Sequence, residues 1–374
     1  MEARLVMGDP AASLTDDLFV KILARLPVKS LCRCKCVSRP WRQLISHPDH
    51  RKKLPQTLAG FFYRSISAAE RWLYPGIQFA SVAGKDIPCI DPSFSFSPGG
   101  NVVPLDSCNG LLLYRCYQPG GGQGIKPYHY AGCNPATKKL VTLPDGAGDG
   151  KDRTARLCFD PTVSSHFHVV EYVGNPTDCC LAGVQIYSSE TAAWNFKKCG
   201  WGDDLMLIGL PSTSVFLNGF LHAVVGWGTS KIVAVDMKGE SWRTISTPPE
   251  AMPEDVFSHI HKTQDLLCLT SFRDDDAYKL SIWILDDYGT EEWTLQHTIS
   301  TWRLSGLLVG IWFKSIAVHP DCSLIYFVYG KDNTLMAYVI DHREARVICN
   351  LGDGFLQLYV PYVPLFEESL AEKN

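Results

Sequence analysis

Two histidine pairs and one run of cysteines have residue types and spacings that could support metal chemistry. His166 and His168, like His259 and His261, are two residues apart, which would place each pair on one face of a β-strand. Imidazole groups are common zinc ligands, but neither pair has an obvious third ligand nearby in the sequence. The Cys-x-Cys-x-Cys run at residues 32–36 lacks the Cys-x2-Cys spacing of zinc sites. We therefore predict that the protein has no metal site.

Motifs that belong to common enzyme active sites are missing from the chain. There is no Gly-x-Ser-x-Gly elbow, Walker loop or His-Glu-x-x-His sequence. The glycine-rich segment 120–124 is not followed by a helix signal that could hold a phosphate, so it predicts a hairpin tip. The acidic run at 274–276 predicts a solvated turn. We expect a protein that is not an enzyme and binds no cofactor.

The 374-residue chain has the composition of a folded protein without a membrane span. Apolar residues make up 46% and charged residues 20%, which excludes a disordered chain. The longest apolar run, residues 307–313, is far shorter than the ~20 residues that cross a bilayer. The N-terminus lacks the apolar segment of an export signal, so the 14 cysteines are expected to be reduced thiols that fill apolar space. We predict a cytoplasmic or nuclear location, or both.

Charge is distributed very unevenly along the chain. Residues 21–54 hold ten basic residues and one acidic residue, a net charge of +9, whereas the rest of the chain carries −13. A cationic module therefore precedes an acidic body, and it could meet nucleic acid, an acidic protein or only water. Its basic residues are spread around the helices and the acidic body would repel phosphate, so we predict no nucleic-acid partner.

Helix signals are dense between residues 14 and 47. Thr15 is a candidate N-cap, and the negative charges of the two acidic residues that follow it would stabilise the helix by interacting with the positive end of its dipole. Pro27 ends this first helix, a second is expected over residues 29–37, and Ser38 can cap a third. Three helices in about 35 residues bury too little apolar surface to be very stable alone. A partner is therefore expected to cover part of their apolar surface.

This segment resembles an F-box of the plant type, as shown by Leu14…Leu18…Ile22-Leu23, by Arg25-Leu26-Pro27 and by Val37-Ser38…Trp41. The family usually has proline after its first leucine, where this chain has Thr15. The resemblance implies docking onto the Skp adaptor of a Skp–cullin–F-box ubiquitin ligase, whose acidic character would complement the basic segment. Carried over position by position, it suggests eight adaptor-binding residues, each of which could instead be ordinary helix core: Leu14, Leu18, Ile22, Leu26, Pro27, Leu31, Val37 and Trp41.

From about residue 58 the sequence changes to short alternating apolar strands bounded by Gly, Asn, Asp and Pro. One unit recurs, in which an apolar strand and a polar turn precede a tryptophan that opens the next strand. Trp194, Trp242 and Trp293 are 48 and 51 residues apart, with weaker copies at Lys139 and Arg346. A period near 50 with about four strands is typical of kelch-type β-propellers, so the body should have six blades, or seven. The tryptophans are expected to pack between blades.

The body also resembles the F-box-associated propeller of plant F-box proteins. The matching pieces include Ser107–Leu112, Asn134–Thr137, Phe159–Pro161 and Asn218–His222. We predict a multidomain α plus all-β protein with a tail at residues 1–12, a three-helix F-box at 13–55, a propeller at 56–366 and a second tail at 367–374.

The resemblance implies a substrate receptor that binds the Skp adaptor, and through it cullin, while the propeller loops bind a target protein. Two other functions stay open from the sequence. One is a carbohydrate- or small-molecule-binding propeller with a non-functional F-box, and the other is an enzyme with its active site in the propeller.

Overall fold

The computed structural model divides the chain into two units, residues 1–57 and 58–374. It describes residues 15–26, 30, 31, 34, 37–46, 50, 53, 58–63, 77–82, 101–117, 127–144, 154–175, 180–201, 214–225, 231–251, 258–263, 266–273, 279–300, 313–319, 324–330, 332–352 and 358–365. The two predicted tails, the glycine-rich segment 120–124, the acidic run 274–276, Leu14 and Pro27 lie outside these residues. None of the described helices is long and apolar enough to span a membrane.

The first unit contains the helices α1 (Asp16–Leu23) and α2 (Arg39–Ser46). Thr15 occupies the N-cap position of α1, although its side chain makes no capping hydrogen bond. The Ser38 hydroxyl accepts a hydrogen bond of 3.3 Å from the Trp41 backbone N–H, as expected of a capping residue. Most of the predicted second helix, over residues 29–37, lies outside the described residues, so the three-helix arrangement stays a prediction.

The second unit contains five antiparallel four-stranded sheets, each formed by four consecutive strands. We number them as blades 2 to 6. Blade 2 contains β3 (Asn101–Cys108), β4 (Leu111–Tyr117), β5 (Tyr128–Asn134) and β6 (Lys139–Thr142), and blade 3 contains β7 (Ala155–Cys158), β8 (His168–Gly174), β9 (Leu181–Ser188) and β10 (Ala193–Lys198). Blade 4 contains β11 (Ser214–Leu217), β12 (Phe220–Val225), β13 (Lys231–Asp236) and β14 (Trp242–Ser246), and blade 5 contains β15 (Ser258–Thr263), β16 (Leu266–Arg273), β17 (Lys279–Asp287) and β18 (Glu292–Ser300). Blade 6 contains β19 (Phe313–Val318), β20 (Leu324–Tyr329), β21 (Thr334–Val339) and β22 (Glu344–Asn350).

A sixth sheet, blade 1, combines strands from the two ends of the unit. β1 (Gly60–Tyr63) pairs on one side with β2 (Gln78–Ser81) and on the other with β23 (Tyr359–Tyr362), both antiparallel. Phe61 is paired with Ala80 and with Pro361 across the three strands. Because the last described strand completes the first blade, the ring is closed by main-chain hydrogen bonds rather than by a covalent link.

The first strands of blades 2 to 6 and β23 line the centre of the ring. β3, β7, β11, β15 and β19 contact one another in that order, and β23 contacts both β19 and β3. Six sheets around one closed ring form a six-bladed β-propeller, which agrees with the blade count from the 50-residue period and excludes seven.

Each of the six interfaces between neighbouring blades has its own buried apolar cluster. Because side chains alternate between the two faces of a strand, each blade contributes apolar side chains to the clusters on both of its sides. In β1, Phe61 packs toward blade 6, where its ring centroid is 5.4 Å from that of Tyr326, while Phe62 packs toward blade 2. The apolar runs in the inner strands are therefore buried on both faces.

Two of the recurring tryptophans bond to the outer strand of the preceding blade. The indole N–H of Trp194 in blade 3 donates to the carbonyl of Pro144, just after β6, at 3.0 Å. Trp293 in blade 5 donates in the same way to Ser246, the last residue of β14, at 2.8 Å. These tryptophans connect blades, as the repeat predicted.

The third tryptophan makes a related contact through its ring. Trp242 of β14 packs edge-to-face on Trp201, which follows blade 3, with ring centroids 4.5 Å apart. In the fourth copy, Arg346 of β22 is exposed, so blade 6 has a charged side chain at this position.

Candidate protein-interaction surfaces

The helical unit has a small apolar core of its own. Val20 and Leu23 of α1, Leu31 and Ile45 are buried and in contact with one another. The rings of Phe19 and Trp41 meet edge-to-face with centroids 4.9 Å apart, which joins α1 to α2. This core accounts for one part of the apolar stripe and leaves another part uncovered.

The uncovered part of the stripe lies on the opposite side of α1. Leu18 and Ile22 are four residues apart and therefore share one helix face, where they are 47% and 51% exposed. Val37, just before α2, is 63% exposed. Exposed aliphatic side chains on a helix that already has a core are typical of a surface that a partner covers.

The predicted adaptor-binding residues therefore fall into two groups. Leu18, Ile22 and Val37 are exposed, whereas Leu31 is buried in the core and Leu26 and Trp41 are partly buried against it. Their use in adaptor binding stays a prediction for all six.

Among the described residues of the helical unit, one ion pair joins oppositely charged side chains. Lys53 lies 3.7 Å from Asp17, but both side chains are more than half exposed, so this ion pair contributes little to stability. The net charge of +9 over residues 21–54 gives this part of the chain a positive field that can guide an acidic partner.

In the propeller, side chains of one inner strand bond to the main chain of the next. The Asp106 carboxylate in β3 accepts backbone N–H groups from Ser107 at 2.9 Å and from Leu157 of β7 at 2.8 Å. Arg156 of β7 donates to the Ser214 hydroxyl of β11 at 3.2 Å. The inner polar groups Asp106 and Arg156 thus make structural links between blades 2, 3 and 4.

Burial has a clear effect on the acidity of Asp106. Removal from water raises the pKa of its carboxyl to about 6, although the nearby Arg156 and the two backbone N–H groups act in the opposite direction. Nothing in the sequence marks this aspartate, because its environment is formed by a strand 50 residues away.

The structure places the two histidine pairs in different settings. β8 begins at His168, so the prediction that His166 shares its strand face is wrong. His259 and His261 do lie on β15, with ring centroids 6.4 Å apart, and burial lowers the pKa of His261 to about 4. Within the described residues, no group of three or more His, Cys, Asp or Glu side chains could hold a metal ion.

None of the cysteines within the described residues forms a disulfide. Burial raises the pKa of Cys116 to about 11 and that of Cys268 to about 12. Such thiols are protonated at neutral pH and therefore unreactive, which agrees with their predicted role as apolar filler.

A polar and aromatic cluster between blades 2 and 3 was not predicted. The buried Arg115 guanidinium lies 4.4 Å from the ring centroid of Tyr128 and donates to the hydroxyl of Tyr117 at 3.0 Å. Across the interface, the Tyr130 hydroxyl donates to the Glu171 carboxylate at 2.7 Å. The only signal in the sequence was the density of tyrosines in β4 and β5.

A helical module with an uncovered apolar face, followed by a six-bladed propeller, defines a protein built for interactions. Residues 12–53 match the F-box domain, and residues 97–342 match the F-box associated beta propeller domain. The chain belongs to the family of plant F-box proteins with an F-box-associated β-propeller.

Relatives of the chain include F-box proteins of Arabidopsis thaliana. The chain is 26% identical to F-box protein At5g49610, over 80% of this chain and 82% of that protein. It is 25% identical to Putative F-box protein At5g52610, over 94% and 90%. Among solved structures, a chain of the nidogen/laminin complex is similar at 9% identity over 81% of this chain and 98% of that chain, with a TM-score of 0.45.

Proposed function

We propose that this protein is the substrate-recognition subunit of a Skp–cullin–F-box E3 ubiquitin ligase. The F-box binds the Skp adaptor and, through it, cullin, while the propeller binds a target protein for ubiquitination. The protein itself is not the catalyst and acts in the cytoplasm, the nucleus or both. The observation that carries this proposal is the exposed pair Leu18 and Ile22 on a helix whose opposite side, Val20 and Leu23, is already buried.

The energy of adaptor binding would come mainly from covering this apolar face. Fully burying a leucine or isoleucine side chain contributes about 1.5–3 kcal/mol. Leu18 and Ile22 are each about half exposed, so covering what remains contributes about 1 kcal/mol apiece. The net charge of +9 in residues 21–54 would speed the encounter with an acidic adaptor.

The propeller offers a rigid ring with unequal connections on its two faces. In an antiparallel meander, the links between first and second strands and between third and fourth strands lie on one face. The third-to-fourth links are only four or five residues long in blades 2 to 6. The strand ends that are joined by the links between successive blades lie on the other face, and from β6 to β19 these links have 11–15 residues.

Longer connections on a rigid scaffold are the usual place for recognition. We therefore assign target binding to the face with the long connections between blades. Holding the target near a ubiquitin-loaded conjugating enzyme raises the effective concentration of the target's lysines, so the receptor needs no catalytic group.

The test is adaptor affinity, measured by calorimetry with a purified plant Skp adaptor. Leu18→Ala with Ile22→Ala should remove about 2 kcal/mol of binding free energy, which weakens the affinity about 30-fold. The matched control is Val163→Ala, an 82% exposed aliphatic residue on the propeller, which should leave the affinity unchanged.

Both variants should fold normally, because they shorten exposed side chains, and unchanged circular dichroism would verify it. Leu26→Ala with Pro27→Ala should also abolish co-purification of the adaptor, although Leu26 contributes to the helical core as well. An affinity that is the same for the Leu18/Ile22 double variant and the wild type would refute the proposed interface.

A further inference from the structure

The outermost strand of each blade has one edge that no other described strand covers. In blades 2 to 6 these strands are β6, β10, β14, β18 and β22, with 4, 6, 5, 9 and 7 residues. An uncovered edge has main-chain N–H and C=O groups that can pair with a strand from another protein. The longest edge, β18 in blade 5, is therefore the first place to look for such pairing.

The sequence of β18 also lacks the residues that usually prevent edge pairing. Lysine, arginine and proline on an edge discourage the addition of another strand. β10 ends in Lys197-Lys198, β14 contains Arg243 and β22 contains Arg346, whereas β18, EWTLQHTIS, contains none of the three types. Its threonines, tryptophan, leucine and isoleucine favour extended structure instead.

The side chains along β18 are largely accessible. Glu292, Thr294 and Gln296 are exposed, and Leu295 is 45% exposed on a strand whose inner neighbour β17 is well buried. The pairing with β17 shifts register twice, once between Leu295 and His297 and once between Glu292 and Trp293, so the edge is divided at both places. The run next to the turn, Glu292–Leu295, is the one with an exposed aliphatic side chain.

Charge around this run selects the kind of strand that it would accept. The β17–β18 hairpin, residues 279 to 300, contains four acidic residues, no arginine and one lysine, Lys279, at the end far from the turn. All four acidic residues lie in or beside the turn at the beginning of β18: Asp286, Asp287, Glu291 and Glu292. Glu291 already accepts the Ser246 N–H at 3.0 Å and Asp286 accepts the Thr294 hydroxyl, whereas Glu292 is exposed.

We propose that β18 accepts an extended segment of the target protein as a fifth strand of blade 5. Main-chain hydrogen bonds along Glu292–Leu295 would supply affinity, and an apolar side chain of the segment would cover Leu295. A lysine or arginine at the end of the segment near the hairpin turn would meet Glu292. This inference rests on the proposed function, because it adds to the contacts on the face with the long connections a second contact with the target, at the outer edge of blade 5 next to its short third-to-fourth link.

The experiment uses the full-length protein and a library of random linear nine-residue peptides. We expect selection of extended peptides with alternating apolar residues and a basic residue at one end. A synthetic copy of the most enriched peptide should slow amide hydrogen exchange in Glu292–Leu295. Leu295→Lys should weaken its binding at least about tenfold, since a charged side chain on an edge opposes strand addition.

The control is Val347→Lys, which places the same charge on the outer strand of blade 6, where Val347 is 64% exposed. It should change the affinity less than about twofold. Glu292→Gln should weaken binding about threefold and reduce its dependence on salt, because one exposed opposite charge is lost. Unchanged thermal unfolding of Leu295→Lys would show that the blade is intact.

Three results would overturn the inference. They are a library that yields no enriched peptide, enriched peptides that bind the Leu295→Lys variant as tightly as the wild type, and exchange protection confined to other strands. Each of these leaves adaptor affinity untouched. A failure at β18 is therefore distinguishable from a failure of the F-box, which the Leu18/Ile22 double variant tests independently.

Discussion

Asp106 provides a quantitative test of how the propeller links its inner strands. Its carboxylate bridges blades 2 and 3 by accepting the N–H groups of Ser107 and Leu157, and Arg156 lies close enough to interact with it. Asp106→Asn keeps the size and shape of the side chain but removes the titrating proton. The comparison of the two proteins at two pH values therefore isolates the ionisation of this one group.

The direction in which pH changes the unfolding free energy follows from the direction of the pKa shift. Burial raises the pKa of Asp106 from 3.8 to about 6, so the folded protein holds this proton more tightly than the unfolded chain does. The contribution to stability is fully present below pH 3.8 and is lost as the pH rises through 6. A shift of about 2 units corresponds to about 3 kcal/mol, of which about 2 kcal/mol should be recovered at pH 4.5.

The assay is urea unfolding at pH 7.5 and pH 4.5, followed by tryptophan fluorescence. The difference in unfolding free energy, wild type minus Asp106→Asn, should increase by about 2 kcal/mol on acidification. Buried histidines such as His222 and His261, whose pKa values burial lowers to about 4, occur in both proteins and cancel. If the difference stays the same at both pH values, burial does not outweigh Arg156 and the two N–H groups, and our reasoning about this link is wrong.

Two further predictions concern contacts between distant segments. Trp293→Phe should lower the unfolding free energy by about 1 kcal/mol in urea titrations, because an aromatic ring remains while the hydrogen bond to the Ser246 carbonyl is lost. An unchanged unfolding midpoint would count against this link between blades 4 and 5. Gly110→Ala should destabilise the propeller by at least about 2 kcal/mol in thermal melts. Gly110 has a φ of +90°, which side chains other than glycine rarely adopt, and an added Cβ would lie 2.0 Å from the Cβ of Leu365. A fully stable variant would contradict the observed packing of Leu365.

The repeating part of the fold was predictable because each blade is built from local pairings. Strands that follow one another in the sequence pair with one another, so the period of about 50 residues contains the whole blade. The tryptophan at the start of the fourth strand was recognisable for the same reason, although its hydrogen-bond partner about 50 residues away was not. The period predicted six or seven blades, and the contacts of β23 with β3 and β19, which close the ring, give six.

The parts that escaped sequence reasoning depend on contacts between distant segments. β1 pairs with β23 nearly 300 residues later, and no local pattern marks either strand as half of a shared blade. Likewise, the environment of Asp106 exists only after blade 3 has packed against blade 2. Burial and pKa are properties of this packing, and a single chain segment does not contain them.

The F-box shows the same limit on a smaller scale. The four-residue repeat of Leu18, Ile22 and Leu26 predicted one apolar stripe, but amphipathic spacing does not tell which part of a wide stripe faces the protein's own core. In the structure, Leu26 packs with Val20 and Leu23, while Leu18 and Ile22 remain exposed. The division matters for function, because only side chains left uncovered by the core can contribute new burial to an adaptor complex.

The groups available for binding differ in kind between the two units, and this difference separates their proposed roles. On α1 they are side chains on one face of a short helix, which suit a partner that covers a preformed surface. On β18 the important groups are main-chain donors and acceptors along an edge, which suit a partner segment that is itself extended. A receptor with both kinds of surface can bind a constant adaptor through fixed side-chain contacts. It can also accept targets of varied sequence, because main-chain pairing requires only an extended segment with suitable charge.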